Sequence, residues 1–266
     1  MKKIIISLCM GLLFCTSTWA KSTCFLAQEK GITLKGEGSD CNKRYAPEST
    51  FKIALSIMGF DAGILRNEIY PEWPYKKEYE LFVQVWKYPH NPHTWMRDSC
   101  VWYSQVLTQK LGMKQFEGYV DKFHYGNQDV TGDIGAENGL THAWLSSLLA
   151  ISSEEQVQFL QQLVNKKLPV SEKSLATTKN IMYIQELSGG WKLYRKTGTG
   201  RQLTPDKKQK LPLQHGWFVG WIEKDGRVIT FADHLADSKQ NKVFASFRAR
   251  NDALIKLWYL IDELEK

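Results

Sequence analysis

The chain is poor in the features that mark several classes of protein. Cysteine is scarce, five in 266 residues, with no Cys-x-x-Cys among them. That excludes a thioredoxin-type redox centre or a cysteine-rich zinc module. Beyond the first twenty residues no apolar run approaches the roughly 20 residues that a membrane-spanning helix needs. There is no internal repeat, long linker or low-complexity tract. The net charge of +7 comes from basic residues scattered among acids, the densest run being Lys207-Lys208-Gln209-Lys210. Nucleic-acid binding calls for a dense basic stripe interleaved with aromatics, so no nucleic-acid partner is expected. The one His-x-x-His, His90 and His93, encloses Asn91-Pro92, a loop sequence rather than a ligand-bearing helix. No metal site is expected.

What is present begins with a leader. Lys2 and Lys3 precede an apolar stretch, Ile4 to Phe14, and Thr18-Trp19-Ala20 supplies small residues at the cleavage positions. This reads as a secretory signal peptide over 1–20, cut after Ala20, and predicts an exported, periplasmic protein with no membrane partner after cleavage. Phe14 before Cys15 argues against a lipid anchor. The remaining residues, 21–266, suit one domain with a large core. Cys24, Cys41 and Cys100 stay in the mature chain. An oxidising compartment permits one bridge, and Cys24 with Cys41 could pair if adjacent strands bring them together. Cys100, in an apolar setting, is expected to pack as a small hydrophobe.

The residue pattern predicts an α+β fold. Residues 24–36 suit N-terminal strands, and 49–64 a helix. The stretch from about 95 to 190 is expected to be mostly helical, with a helix starting at Ser152-Ser153-Glu154-Glu155. From Trp191 the period becomes that of strands, and Asp225-Gly226 between two apolar segments signals a hairpin. Leu254, Leu257, Trp258 and Ile261 form one stripe of a C-terminal helix. The expectation is an antiparallel sheet built from both chain ends, flanked by terminal helices. A mainly helical region, about 65–190, is inserted, and a site would lie where it meets the sheet.

The most informative stretch is Ser49-Thr50-Phe51-Lys52, at the head of an apolar run. Residues i and i+3 share a helix face. A buried lysine amine favours its neutral form and can take a proton from the serine hydroxyl beside it. Alone, Ser-x-x-Lys is a common coincidence. Four further elements follow in order: Ser99-Cys100-Val101, Tyr125-Gly126-Asn127, Trp144, and Lys196-Thr197-Gly198 with Thr199.

In the order and spacing of these boxes, over essentially the whole mature chain, the sequence resembles the class D serine β-lactamases, the oxacillinase group. The resemblance implies the β-lactamase and penicillin-binding transpeptidase fold. It implies hydrolysis of the β-lactam amide of penicillins and some cephalosporins through an acyl-enzyme on Ser49, and with it antibiotic resistance. Lys52 would be carboxylated by carbon dioxide or bicarbonate on its amine and act as general base, with no other cofactor. Phe51 and Val101 would wall that pocket, and the Trp144 indole N–H would hold the carbamate. Ser99 would relay a proton to the departing nitrogen, supported by Lys196. Thr197 and Gly198 would lie on an edge strand against substrate, and the backbone N–H groups of Ser49 and Thr199 would form the oxyanion hole. The substrate carboxylate would need a further group, for which Arg250, Arg248 and the Ser246 hydroxyl are candidates. Tyr125 and Asn127 would shape the pocket. Trp95, Trp102 and Trp217 suggest an apolar side-chain site suited to bulky aromatic penicillins. Relatives of this kind occur as monomers and homodimers.

Two other readings share the nucleophile. A β-lactam sensor domain acylates and stays acylated, but such domains are tethered to membrane receptors. A cell-wall transpeptidase generally carries Ser-x-Asn where this chain has Ser99-Cys100-Val101.

Overall fold

A computed structural model describes residues 22–266; the predicted leader lies outside the described residues. The order of elements is β1 (Ser22–Glu29), β2 (Ile32–Gly38), α1 (Lys52–Asp61), α2 (Pro92–Asp98), α3 (Val101–Leu111), α4 (Met113–Lys122), α5 (Gly139–His142), α6 (Ser153–Val164), α7 (Glu172–Met182), β3 (Tyr183–Glu186), β4 (Lys192–Leu203), β5 (Lys210–Lys224), β6 (Arg227–Ala236) and α8 (Ala245–Leu264). A short 3₁₀ turn, Glu48–Phe51, runs directly into α1.

The six strands form one sheet in the order β2-β1-β6-β5-β4-β3, and every pairing is antiparallel. The sheet is therefore built from both chain ends, with β1 between β2 and β6. Asp225-Gly226 closes the β5–β6 hairpin, Lys224 opposite Arg227, both turn residues at positive φ (49° and 79°). Such a two-residue turn matches the twist of the flanking strands.

Two apolar cores lie on the two faces. On one, Phe25, Leu193, Phe218, Phe231 and the inner stripe of α8 pack together. On the other, Trp217, Val219 and Trp221 meet α1, α3 and α6 in the larger core. Helix α6 starts as its sequence predicts: Ser152 Oγ accepts from Glu155 N while the Glu155 carboxylate accepts from Ser152 N. That reciprocal cap supplies two otherwise orphaned donors.

The insertion is less helical than expected. Residues 123–152 hold one short helix, α5, in an otherwise irregular path. Non-glycine residues at positive φ, His124, Gln128, Glu137 and Ser146, break it repeatedly. Cys24 and Cys41 are bonded, 17 residues apart, tying β1 to the segment after β2. Cys100 is free and fully buried.

Candidate active site

The turn Glu48–Phe51 holds Ser49 at the seam between sheet and helices. Ser49 is half-buried, whereas Lys52, one turn on, is fully buried. Lys52 Nζ donates to Ser49 Oγ at 3.1 Å. Burial pulls the Lys52 amine down to about 8, against the opposing pull of Cys100 and Glu48. Low dielectric penalises the charged form of any buried group, and for an amine that favours loss of its proton.

A second serine–lysine pair faces the first. Ser99 caps the C-terminus of α2 with φ 58°, a left-handed conformation that turns the chain abruptly into α3. Lys196, in the middle of β4 and 2% exposed, donates to Ser99 Oγ at 2.8 Å and to the Thr197 carbonyl at 3.1 Å. Burial, with the charges of Lys52 and Arg195, holds the Lys196 amine well below its usual range. Two buried amines thus each serve a more accessible hydroxyl.

Strand β4 delivers this second lysine and brings backbone close to the first serine. A Cβ at Gly198 would lie 3.2 Å from Ser49 N. Strand β3 reaches only to Tyr194, so from Arg195 onward β4 has no strand partner on its outer side among the described residues. An unpaired strand edge beside Ser49 can take an extended or amide-bearing ligand. Thr199 Oγ1, on that stretch, accepts from Ser246 N at the start of α8.

The walls around Lys52 are aromatic and apolar. Phe51 stacks on Trp144 with centroids 5.7 Å apart and meets Tyr125 edge-on at 5.0 Å. Val101 is 6% exposed at the head of α3. Trp144 is fully buried, and its Nε1–H has no hydrogen-bond partner among the described residues. A buried indole donor without an acceptor is costly, and it suits a pocket meant to receive an anion. Asn127 holds the segment that carries Trp144: its Nδ2 donates to Leu148 O, and its Oδ1 accepts from Ala150 N, both at 2.8 Å.

The model of the penicillin-binding-protein transpeptidase domain matches residues 28–253. β-Lactamase OXA-9 of Klebsiella pneumoniae is 42% identical over 233 residues, covering 85% of this chain and 83% of that protein. β-Lactamase OXA-1 of Escherichia coli is 41% identical over 215 residues, 80% of this chain and 75% of that one. The crystal structure of the class D β-lactamase OXA-427 superposes with a TM-score of 0.86 at 42% identity, covering 91% of this chain and 99% of that one.

The chain belongs to the class D β-lactamases.

Within this class D site, the structure separates the three candidates for the substrate carboxylate. Arg248 is engaged: its guanidinium forks onto Asp237 with both bonds at 2.7 Å. Arg250 shares a hollow with Arg195 on the α8 face of the sheet, and alternation along β4 puts that face opposite Lys196. Ser246, beside Thr199, is the candidate that adjoins the free edge of β4. The tryptophans proposed as a side-chain site are core residues. Trp95, Trp102 and Trp217 are each 0% exposed, donating to Ser104 Oγ, Trp86 O and Ala46 O.

One part of the site escaped the sequence reading. Glu48, the residue before Ser49, is 3% exposed with φ 53°. Its Oε1 accepts from Ser146 N (2.8 Å), Ser146 Oγ (2.7 Å) and His215 Nε2 (3.2 Å). Ser146 sits two residues after Trp144, and Glu48 N donates to Trp144 O. The buried carboxylate thus ties the Ser49 turn to the Trp144 segment and to β5. The signal available in sequence was a lone acid inside a tight, otherwise uncharged turn. Among the described residues no group of three or more His, Cys, Asp and Glu is placed to hold a metal ion.

Proposed function

We propose that this protein is a serine β-lactamase in which Ser49 opens the β-lactam amide and an acyl-enzyme is then released by water. The observation that carries it is the Ser49–Lys52 pair: the hydroxyl of a half-buried serine 3.1 Å from a fully buried amine that burial holds near 8. Membership of the class D family favours turnover over the sensor reading.

The pocket fits carboxylation of Lys52. The amine is buried and biased toward the neutral form that carbon dioxide attacks, and Trp144 Nε1–H lacks an acceptor. A carboxylated Lys52 would supply an anionic general base for both acylation and deacylation. The remaining roles fall to the chain itself. Ser49 Oγ attacks the lactam carbonyl, with the Ser49 and Thr199 backbone N–H groups as oxyanion donors. Ser99 passes a proton to the ring nitrogen as the amide breaks, and Lys196 holds the Ser99 hydroxyl in line at 2.8 Å. Phe51 and Val101 keep water and charge from the Lys52 pocket. Thr197, Gly198 and Thr199 bind substrate along the free edge of β4, and the Ser246 hydroxyl, with the positive potential of Lys196, receives the substrate carboxylate. Tyr125 and Asn127 hold the pocket wall.

Residues 1–20 are proposed as an export signal and residues 21–266 as one catalytic domain acting in the periplasm, as a monomer or homodimer. Among the described residues no helix is long and apolar enough to cross a membrane. The deciding experiment is a time course of a chromogenic cephalosporin with the mature protein and added bicarbonate. Sustained turnover over many equivalents is expected. A stoichiometric burst followed by a plateau would instead identify a sensor.

A further inference from the structure

The face of β4 turned away from Ser49 carries a cluster that β-lactam hydrolysis does not use. There Arg195 and Arg250 of α8 line a hollow of about 250 Å³ between β3, β4, β5 and α8. Gln185 and Asn251 add side-chain amides, and the buried Leu193 and Phe218 add apolar wall.

Two guanidiniums share this hollow, and no carboxylate lines it. Arg195 makes no side-chain hydrogen bond or ion pair among the described residues, although it is only partly exposed. Arg250 bonds only to Asn251 Oδ1, at 3.3 and 3.2 Å, and lies over the Phe247 ring. The other arginines behave differently. Arg44, Arg97, Arg227 and Arg248 each fork onto a carboxylate, and Arg66 and Arg201 are exposed to solvent. Arg195 and Arg250 are half-buried and have no acid. Burial and the neighbouring Arg250 both push Arg195 downward, yet a guanidinium stays charged in any ordinary protein setting. The pair therefore carries desolvation and like-charge repulsion with no opposite charge in the hollow to offset them.

We propose that this hollow is an anion-binding site that takes a doubly charged tetrahedral oxyanion of the phosphate type, clamped between Arg195 and Arg250. Each guanidinium presents a planar fork that matches two oxygens of one anion. Two forks from different elements call for a ligand with more than two oxygens and more than one charge, which chloride lacks. Because Arg195 adjoins Lys196, a bound dianion also neutralises one of the charges bearing on the catalytic lysine.

The test is calorimetric titration and thermal unfolding of the mature protein in inorganic phosphate, against sodium chloride of equal ionic strength. Glycerol 3-phosphate forms a separate arm, and Arg195→Gln and Arg250→Gln run alongside. A Tm that climbs with phosphate and not with chloride is expected, since a ligand that binds only the folded state stabilises it. Either substitution should weaken phosphate affinity at least about tenfold, the loss of one charge-assisted fork. Without phosphate, Arg250→Gln should unfold at or above the wild-type temperature, because removing one charge relieves the repulsion. Tighter binding of glycerol 3-phosphate than of inorganic phosphate makes the physiological anion a phosphomonoester; the reverse makes it free phosphate. No calorimetric binding of either at millimolar concentration, or binding undiminished in both variants, overturns the proposal.

Discussion

The Glu48 carboxylate fills the space that a side chain at Gly200 would need: a methyl there would overlap Glu48 Oε1 and crowd Ser146 Oγ. Gly200 pairs with His215 across β4 and β5, and His215 Nε2 reaches the same carboxylate. A buried carboxylate thus fixes how close β4 comes to the turn carrying Ser49.

Gly200→Ala should cost about 1–3 kcal/mol of stability, the usual range for overpacking a tight site. Glu48→Ala, which leaves the buried Ser146 N–H and hydroxyl without their acceptor, should cost a similar 1–3 kcal/mol. Urea unfolding measures both. A Gly200→Ala protein as stable as wild type would show that Glu48 does not set the spacing.

Trp144→Phe keeps an aromatic ring against Phe51 and removes only the N–H. If that donor holds the carboxylated Lys52, deacylation should slow by roughly 10- to 100-fold, the worth of one hydrogen bond to a charged group. The carbamate signal in ¹³C-bicarbonate NMR should weaken in parallel, and acyl-enzyme should accumulate in the mass spectrum. Unchanged deacylation would remove Trp144 from the mechanism.

The Lys52 amine, held near 8, sets a direction for pH. Carboxylation needs the neutral amine, and the neutral fraction shrinks as pH falls below that value. Activity without added bicarbonate should therefore decline through the acid side and recover when bicarbonate is supplied. In Lys52→Ala, kcat should drop by at least about 10²-fold, as for loss of a general base, with no recovery in bicarbonate.

Ser246 and Arg248 separate binding from stability. Ser246→Ala should raise KM for carboxylate-bearing β-lactams about tenfold, with little change in kcat. Arg248→Ala should instead destabilise the fold by roughly 2 kcal/mol or more, because Asp237, 8% exposed, loses both of its guanidinium bonds. Steady-state kinetics and unfolding on the same two proteins check the pair.

Removing the Cys24–Cys41 bond by a double serine substitution should cost about 3 kcal/mol, the loop entropy expected for a separation of 17 residues. Thermal unfolding checks it, and a Tm equal to wild type would contradict the estimate.

Local chemistry was legible in the sequence wherever one stretch of chain carried it. Ser49 and Lys52 are one turn apart, the α6 cap lies within four residues, and the Asp225-Gly226 turn needs no distant partner. Ordered spacing made the Ser99, Trp144 and Lys196 boxes readable as a set. The illegible parts depend on register and on which face a side chain takes. Arg248 and Arg250 are two residues apart on α8, yet one is paired with Asp237 and the other lies against Arg195. Glu48 drew no reading from the sequence, because its partners Ser146 and His215 come from distant segments. Trp95, Trp102 and Trp217 looked like a binding surface because their burial depends on packing between separate elements.

The position of β1 has a temporal side. Ser22 pairs with Ala236 and Glu29 with Ile229, so the first strand has one of its two neighbours at the far end of the chain. Lys196, Gly198 and Thr199 also come late, on β4. A growing chain that already holds Ser49 and Lys52 therefore has neither a completed sheet nor its second lysine. Contacts so remote in sequence form late and slowly. In chain order the Ser49 turn comes early and its β4 neighbours late, so a chain truncated before β4 should be inert however well its helices form.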